Sequence, residues 1–254
     1  MTAALRVAER EVRFFRTAWR ATVFSAFVAP LLYLLALGTG LGGLIDDTSG
    51  FGGATYAQFI APGLMVGSVV QIAANAGLWP VMAGHRWIGF HRAAVSTPVS
   101  APDVATGWLV WVAGRAAAQS AIFLVIAAVL GAIGSPAAVL SIVIAALTAV
   151  AFTAPLMAYT ASVDSDQAFD PIMRVLVTPL FLFSGTFFPV SSLPMVLQWV
   201  VGVFPLWHGT ELARTVSTGV DSPLHPVVHL AVVLVWVGAG WLVARRAFVR
   251  RLTP

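Results

Sequence analysis

Asp221, His225 and His229 stand at i, i+4 and i+8, a spacing at which one helix face could offer a carboxylate and two imidazoles to a divalent metal. Pro226 breaks that register and no further ligand lies nearby, so no metal site is expected. Residue types exclude most other chemistry. The chain has no cysteine, which removes disulfides, thiolate metal sites and thiol nucleophiles but leaves the compartment open. It also has no lysine, so a phosphate loop of the form G-x-x-x-x-G-K-[ST] cannot be written anywhere in it. If ATP drives this protein, another subunit binds the ATP. Neither H-E-x-x-H nor G-x-S-x-G occurs and no aspartate pair falls inside an apolar run, so no catalytic residue is assigned and an intramembrane enzyme is disfavoured.

Amides are the polar groups left inside apolar runs. Gln71 and Asn75 lie one helical turn apart, and Arg115 and Gln119 repeat that spacing. In lipid such groups seek partners on neighbouring helices, or they line a path for hydroxylated headgroups. Gln71 and Asn75 are the candidates for the path. Asp164, Asp166 and Asp170 cluster at one turn, with Asp170 before Pro171 in an N-cap position. Every carboxylate thus falls at a boundary of an apolar run, which counts against an ion-coupled secondary transporter, the alternative class.

These residues are carried by a chain that is 59% hydrophobic and 9% charged, with mean hydropathy +0.91. A soluble domain carries roughly 25% charged residues. The chain therefore reads as a single all-α polytopic membrane domain over residues 1–254, since period-two alternation for a barrel is absent. Six spans are expected: 21–45, 55–83, one starting near 106 and another ending near 163 joined by the turn "GAIGSP", then 171–188 and 226–244. The first is too long for a signal peptide and is expected to stay. The net charge of +4 is all arginine, held at span ends, which argues against nucleic-acid binding. Five arginines precede span one, Arg86 and Arg92 follow span two, Arg174 abuts span five, and Arg245, Arg246, Arg250 and Arg251 follow the core of span six. Only Arg214 falls on the opposite side. The positive-inside rule puts both termini in the cytoplasm.

Residues 1–20 read as an amphipathic helix on the inner leaflet, with Leu5, Ala8, Val12, Phe15 and Trp19 on one face and Arg6, Glu9, Arg10, Arg13, Arg16 and Arg20 on the other. Between spans five and six, residues 189–218 are apolar yet broken by Pro189, Pro194 and Pro205. Ten residues cannot cross a bilayer, so this segment is expected to form a re-entrant helical hairpin in the outer leaflet, presenting Glu211, Arg214 and Thr218 to the outer surface. Phe187, Phe188 and Trp207 are expected to close an apolar outer gate.

The stretch "TPLFLFSGTFFPVSSLPMVLQWVVGVFPLWHGTELAR", with its apolar span, S-G-x-x-F-P, L-P, P-L and terminal arginine, resembles the signature of ABC-2 type exporter permeases. The amphipathic start, six spans, the "STPVSAPD" loop and the "RRAFVRRL" ending extend the likeness along the chain. It is most similar to lipo-oligosaccharide and nodulation-factor exporter permeases, with daunorubicin-type drug exporters next. The resemblance implies a bacterial inner-membrane exporter of an amphipathic substrate, a dimer of permeases, likened here to a homodimer, and two separate ABC ATPase subunits carrying ATP and magnesium. No cofactor is expected in this chain. It also implies that the cytoplasmic loop 84–103 docks the ATPase, through Arg86, Trp87, Phe90 and Arg92; His85 and His91 lie in the same mixed charged and aromatic stretch. Many relatives carry a glutamate in this loop, whereas here no carboxylate precedes Asp103, so individual polar contacts do not carry over.

Overall fold

The computed structural model describes residues 3–41, 51 and 53–253, without side chains at 18–27, 29, 30, 39 and 41. The end of the first expected span, most of the acidic turn after it, and the side chains of Trp19 and Arg20 lie outside the described residues. The described residues form helices and no strand. Helix α1 is Ala3–Tyr33 and continues through wider turns Leu34–Leu41; α2 is Tyr56–Met82, continued by Ala83–Trp87; α3 is Phe90–Val95; α4 is Ala101–Val129. A short 3-10 turn, Pro136–Val139, leads into α5, Leu140–Ser162. Then come α6, Phe169–Pro171, wide turns Ile172–Val177, α7, Thr178–Phe183, α8, Met195–Val203, α9, Pro205–Thr218, and α10, Pro226–Leu252.

Among the described residues, four helical runs are long and apolar enough to cross a membrane: Tyr56–Trp87, Ala101–Val129, Pro136–Ser162 and Pro226–Leu252. They coincide with expected spans two, three, four and six. Expected span five is helical only over 169–183. At 1.5 Å per residue that is about 22 Å, short of a hydrocarbon core of about 30 Å. Ser184 and Gly185 end it, because Gly185 sits at φ 76° and hydropathy does not register that turn.

Local chemistry sets the helix starts. Thr55 and Gln58 form a reciprocal capping box on α2, and Ser100 and Asp103 form one on α4. The "SAPD" end of the expected loop is thus the first turn of α4. Asp170 does not cap: Ala168 holds the N-cap position of α6, and Asp170 lies inside it.

α5 is the centre, packed on α2, α9 and α10 through small residues. A Cβ on Gly77 would come 3.0 Å from the Thr153 carbonyl oxygen, and one on Gly240 2.9 Å from the Ala154 methyl. Such close approach lets polar side chains reach backbone across helices. Thr153 Oγ1 donates to the Ala73 carbonyl at 2.8 Å and Thr160 Oγ1 to that of Gly77 at 2.9 Å. Pro80 lacks the N–H that the carbonyl of Ala76 would accept within α2. Trp108 Nε1 supplies the substitute at 3.1 Å. Gly209 of α9 abuts Thr148 of α5, where a Cβ would lie 2.2 Å from Oγ1. Gly209→Ala is therefore expected to destabilise the chain by about 1–3 kcal/mol through overpacking. Thr148→Ala in the same chain should restore most of the loss, read by thermal unfolding in detergent.

The N-terminal helix has no break near residue 20, because α1 runs unbroken through it. Its first four turns pack on α4: Val7 lies over Gly107, the Phe15 and Trp111 ring centroids are 5.5 Å apart, and the Arg115 guanidinium lies 5.7 Å from the Phe15 ring. The face turned to the bundle is Ala4, Val7, Ala8 and Glu11, while Leu5 and Val12 are exposed. This face is rotated from the apolar stripe read in the sequence. An apolar stripe and a bundle-facing stripe coincide only where the other side is water, and apolar side chains facing lipid cost nothing.

Candidate functional site

Two ends of the bundle gather the polar chemistry. At the end bearing the hairpin, Arg214 is the organising residue. It projects from α9 into the protein, only 5% exposed, against Glu211 at 6%. Its Nε donates to the Phe59 carbonyl of α2 at 3.2 Å, Nη1 pairs with Glu211 Oε1, and Nη2 donates to the Gly185 carbonyl of the turn after α7. The guanidinium also lies 3.9 Å from the centre of the Phe59 ring. One side chain thereby ties α2, α9 and the end of the short span. A side chain at Gly185 would crowd this clamp, its Cβ 3.2 Å from Glu211 Oε1, besides requiring positive φ. The polar face of α9 expected to meet the outer surface points inward instead, because Arg214 finds three acceptors there that lipid could not supply.

A second polar chain lies beside it. Ser222 Oγ is 2.6 Å from His229 Nε2, His229 Nδ1 is 2.8 Å from His208 Nδ1, and His208 Nε2 is 2.9 Å from the Gly202 carbonyl. A carbonyl only accepts, so His208 Nε2 carries hydrogen. With both rings neutral, His229 then donates from Nδ1 and accepts the Ser222 hydroxyl at Nε2, and every group is satisfied. This chain links α8, α9 and α10. His225 is used differently: its Nδ1 accepts the Val227 N–H at 3.3 Å at the start of α10. The Asp221, His225, His229 series thus divides between a cavity wall, a helix cap and a histidine pair.

The opposite end is rich in arginine. Asp164, in the turn after α5, receives Arg86 Nη1 at 3.0 Å and Arg251 Nη2 at 2.5 Å on Oδ1. These bonds join the end of α2 to the end of α10. Next to Arg86, Trp87 is 54% and Ile88 75% exposed, and Gly89 at φ 81° turns the chain sharply into α3. Arg92 is exposed. Phe90 is half-buried, with the Arg10 guanidinium 4.1 Å from its ring centre. His85 and His91 are buried. The His91 ring packs on Phe90, Trp108 and Phe248, and burial, with lesser contributions from His85 and Arg10, pushes its pKa down to about 3. It is a neutral wedge, so the sequence reading of one mixed exposed surface holds for Trp87 and Arg92 and fails for the histidines.

A match to the ABC-2 type transporter family covers residues 3–217, from the start of α1 through the Arg214 clamp. The chain belongs to that family. It is 28% identical over 242 residues to nodulation protein J of Rhizobium meliloti (strain 1021), covering 93% of this chain and 90% of that protein. Identity to nodulation protein J of Rhizobium leguminosarum bv. trifolii is 30% over 247 residues, 92% and 90% of the two chains. With the inner membrane transport permease YadH of Escherichia coli (strain K12) it is 26% over 240 residues, again 92% and 90%.

In this ABC-2 transporter chain the three rings expected to form a gate go to separate neighbours. Phe187 meets Tyr33 at 6.4 Å and Phe181 at 5.3 Å, Phe188 meets Phe183 at 6.3 Å, and Trp207 packs on His208 and His229 at 4.8 and 5.1 Å. Among the described residues no ring contact joins them to one another. Gln71 is half-buried and Asn75 exposed on α2. Neither makes a hydrogen bond among the described residues. Sequence reasoning missed the Arg214 clamp and the histidine pair.

Arg251, through its hydrogen bond and charge, and Arg86 hold the Asp164 carboxyl below its ordinary range. A depressed folded-state value stabilises the fold above the unfolded value of about 3.9 and fades as pH falls through the lower folded value. Between pH 5 and 8 the link is therefore constant. Asp164→Asn should loosen it throughout that window, measured as faster tryptic cleavage after Arg250 and Arg251 than in the parent chain. Equal cleavage rates would show that the tail is held by apolar packing alone.

Proposed function

We propose that this chain is the permease subunit of an ATP-driven exporter that moves an amphipathic substrate, a lipo-oligosaccharide, glycolipid or hydrophobic drug, out of the cytoplasm or inner leaflet. Two permease copies span a bacterial inner membrane, six times each with both termini inside, and two ABC ATPase subunits drive them. The observation that carries this reading is the exposed Trp87–Ile88 turn at the arginine-rich end of an ABC-2 family chain that has no phosphate loop of its own. Exposed aromatic and apolar side chains are what a partner's pocket grips. Orientation gains support from Arg214: the one arginine opposing the positive-inside rule is buried and paired, and adds no free charge to the outer face. Gln71 and Asn75 would line the path between the two copies.

Reconstitution tests the proposal. The chain, co-purified with its nucleotide-binding subunit, should move a fluorescent amphiphile across proteoliposomes on ATP addition, and the chain alone should neither hydrolyse ATP nor move it. ATP turnover by the isolated chain, or movement that follows a proton or sodium gradient instead of ATP, would overturn it, the latter in favour of an ion-coupled transporter.

A further inference from the structure

Beneath the hairpin lies a cavity of about 780 Å³, within the range of small-ligand sites. Apolar side chains form its rim, with Trp199 74% and Met195 73% exposed on α8 and Leu224 on the facing loop. Its polar wall includes Ser191, Gln198, Glu211 and Asp221. The hydrogen-bonding capacity left over in that wall decides what fits. Arg214 and His208, which also line it, are already bonded, Arg214 to Phe59, Glu211 and Gly185 and His208 to His229 and Gly202. Gln198 spends its Nε2 on the Ser191 and Leu193 carbonyls. Free among the described residues are the acceptors Gln198 Oε1, the second Glu211 oxygen and the Asp221 carboxylate, the Ser191 hydroxyl, and one buried donor, Trp207 Nε1. With Glu211 neutralised by Arg214, Asp221 leaves the wall net negative.

We infer that this cavity binds the uncharged sugar headgroup of a glycolipid, whose acyl chains lie along the apolar face of α8. Several separated acceptors beside the Trp207 N–H call for a ligand whose hydroxyls both donate and accept, and the negative wall repels phosphate. The exposed Trp199 offers the flat apolar surface on which a sugar face packs, and α8 keeps the lipid tails in hydrocarbon. The inference rests on the exporter reading for its role, namely that the outgoing headgroup pauses here on the outer side; binding itself does not depend on that reading.

The chain has no cysteine, so Ser191→Cys gives a single labelling site on the cavity wall. The full chain in nanodiscs is labelled with a hydrophilic maleimide in the presence of monogalactosyl diacylglycerol, phosphatidylethanolamine, phosphatidylglycerol, or free methyl galactoside. Occupancy by the galactolipid should slow labelling by about fivefold or more, as ligand at several times its dissociation constant does. The other three should change it little, and Asp221→Asn should remove most of the protection. An equal slowing by phosphatidylglycerol or phosphatidylethanolamine, protection by the free sugar alone, or an equal effect at a control Ala137→Cys outside the cavity would overturn the inference. So would no protection at all. Loss of ATP-driven transport with protection intact would instead count against the exporter reading.

Discussion

Arg214→Ala is expected to unfold this protein or leave it unstable at growth temperature. Breaking a buried ion pair by removing one partner costs about 3–5 kcal/mol, because the remaining charge, here Glu211, is stranded away from water. The Gly185 carbonyl loses its donor and the Phe59 carbonyl its second one, and an unpaired buried polar group costs about 1–3 kcal/mol. These losses overlap and do not simply add, yet they approach the 5–15 kcal/mol that typically separates folded from unfolded states. Arg214→Lys should not rescue, since one ammonium cannot reach acceptors on three elements in the planar arrangement that a guanidinium spans. The double variant Glu211→Gln, Arg214→Met should recover part of the loss, because no charge is then buried. Expression level and thermal unfolding in detergent measure all three. If Arg214→Ala melts with the parent chain, the clamp is not what joins the short helix after Asp170 to α2 and α9.

That clamp also shows what could and could not be read from the chain. Length and hydropathy located expected spans two, three, four and six, and Pro194 and Pro205 stand at the starts of α8 and α9, because those features are local. The facing of an i, i+3 pair such as Glu211 and Arg214 is not local. On an isolated helix the same spacing serves an exposed pair or a buried one, and only the carbonyls of Phe59 and Gly185, supplied from elsewhere in the chain, decide it. His208 and His229 meet across two helices, which no spacing rule foretells. Expected span five was overextended for another reason: hydropathy continues through Phe187 and Phe188, whereas the backbone has already turned at Gly185. At the N-terminus, charge density suggested a boundary at residue 20, but arginine and glutamate are good helix formers and the backbone runs on.

At the other end, the double variant Trp87→Ala, Ile88→Ala should lose binding of the proposed ATPase subunit while remaining folded. Both side chains are largely exposed and touch no core that alanine would hollow out, so the cost to this chain alone should be small. At an interface, each buried apolar anchor is worth about 2 kcal/mol or more, and two of them correspond to a loss of affinity of several hundredfold. Pull-down of the ATPase and ATP-driven export should fall together, with unchanged expression and thermal unfolding. Phe90→Ala provides the contrast. Its ring is half-buried under Arg10 and against the His91 ring, so its removal should lower the melting temperature, and any loss of ATPase binding should follow that loss of stability. A double variant that still pulls down the ATPase at parental levels would move the docking surface away from this turn. The exposed Arg92 would then be the next side chain to test, since Arg86 is already committed to Asp164.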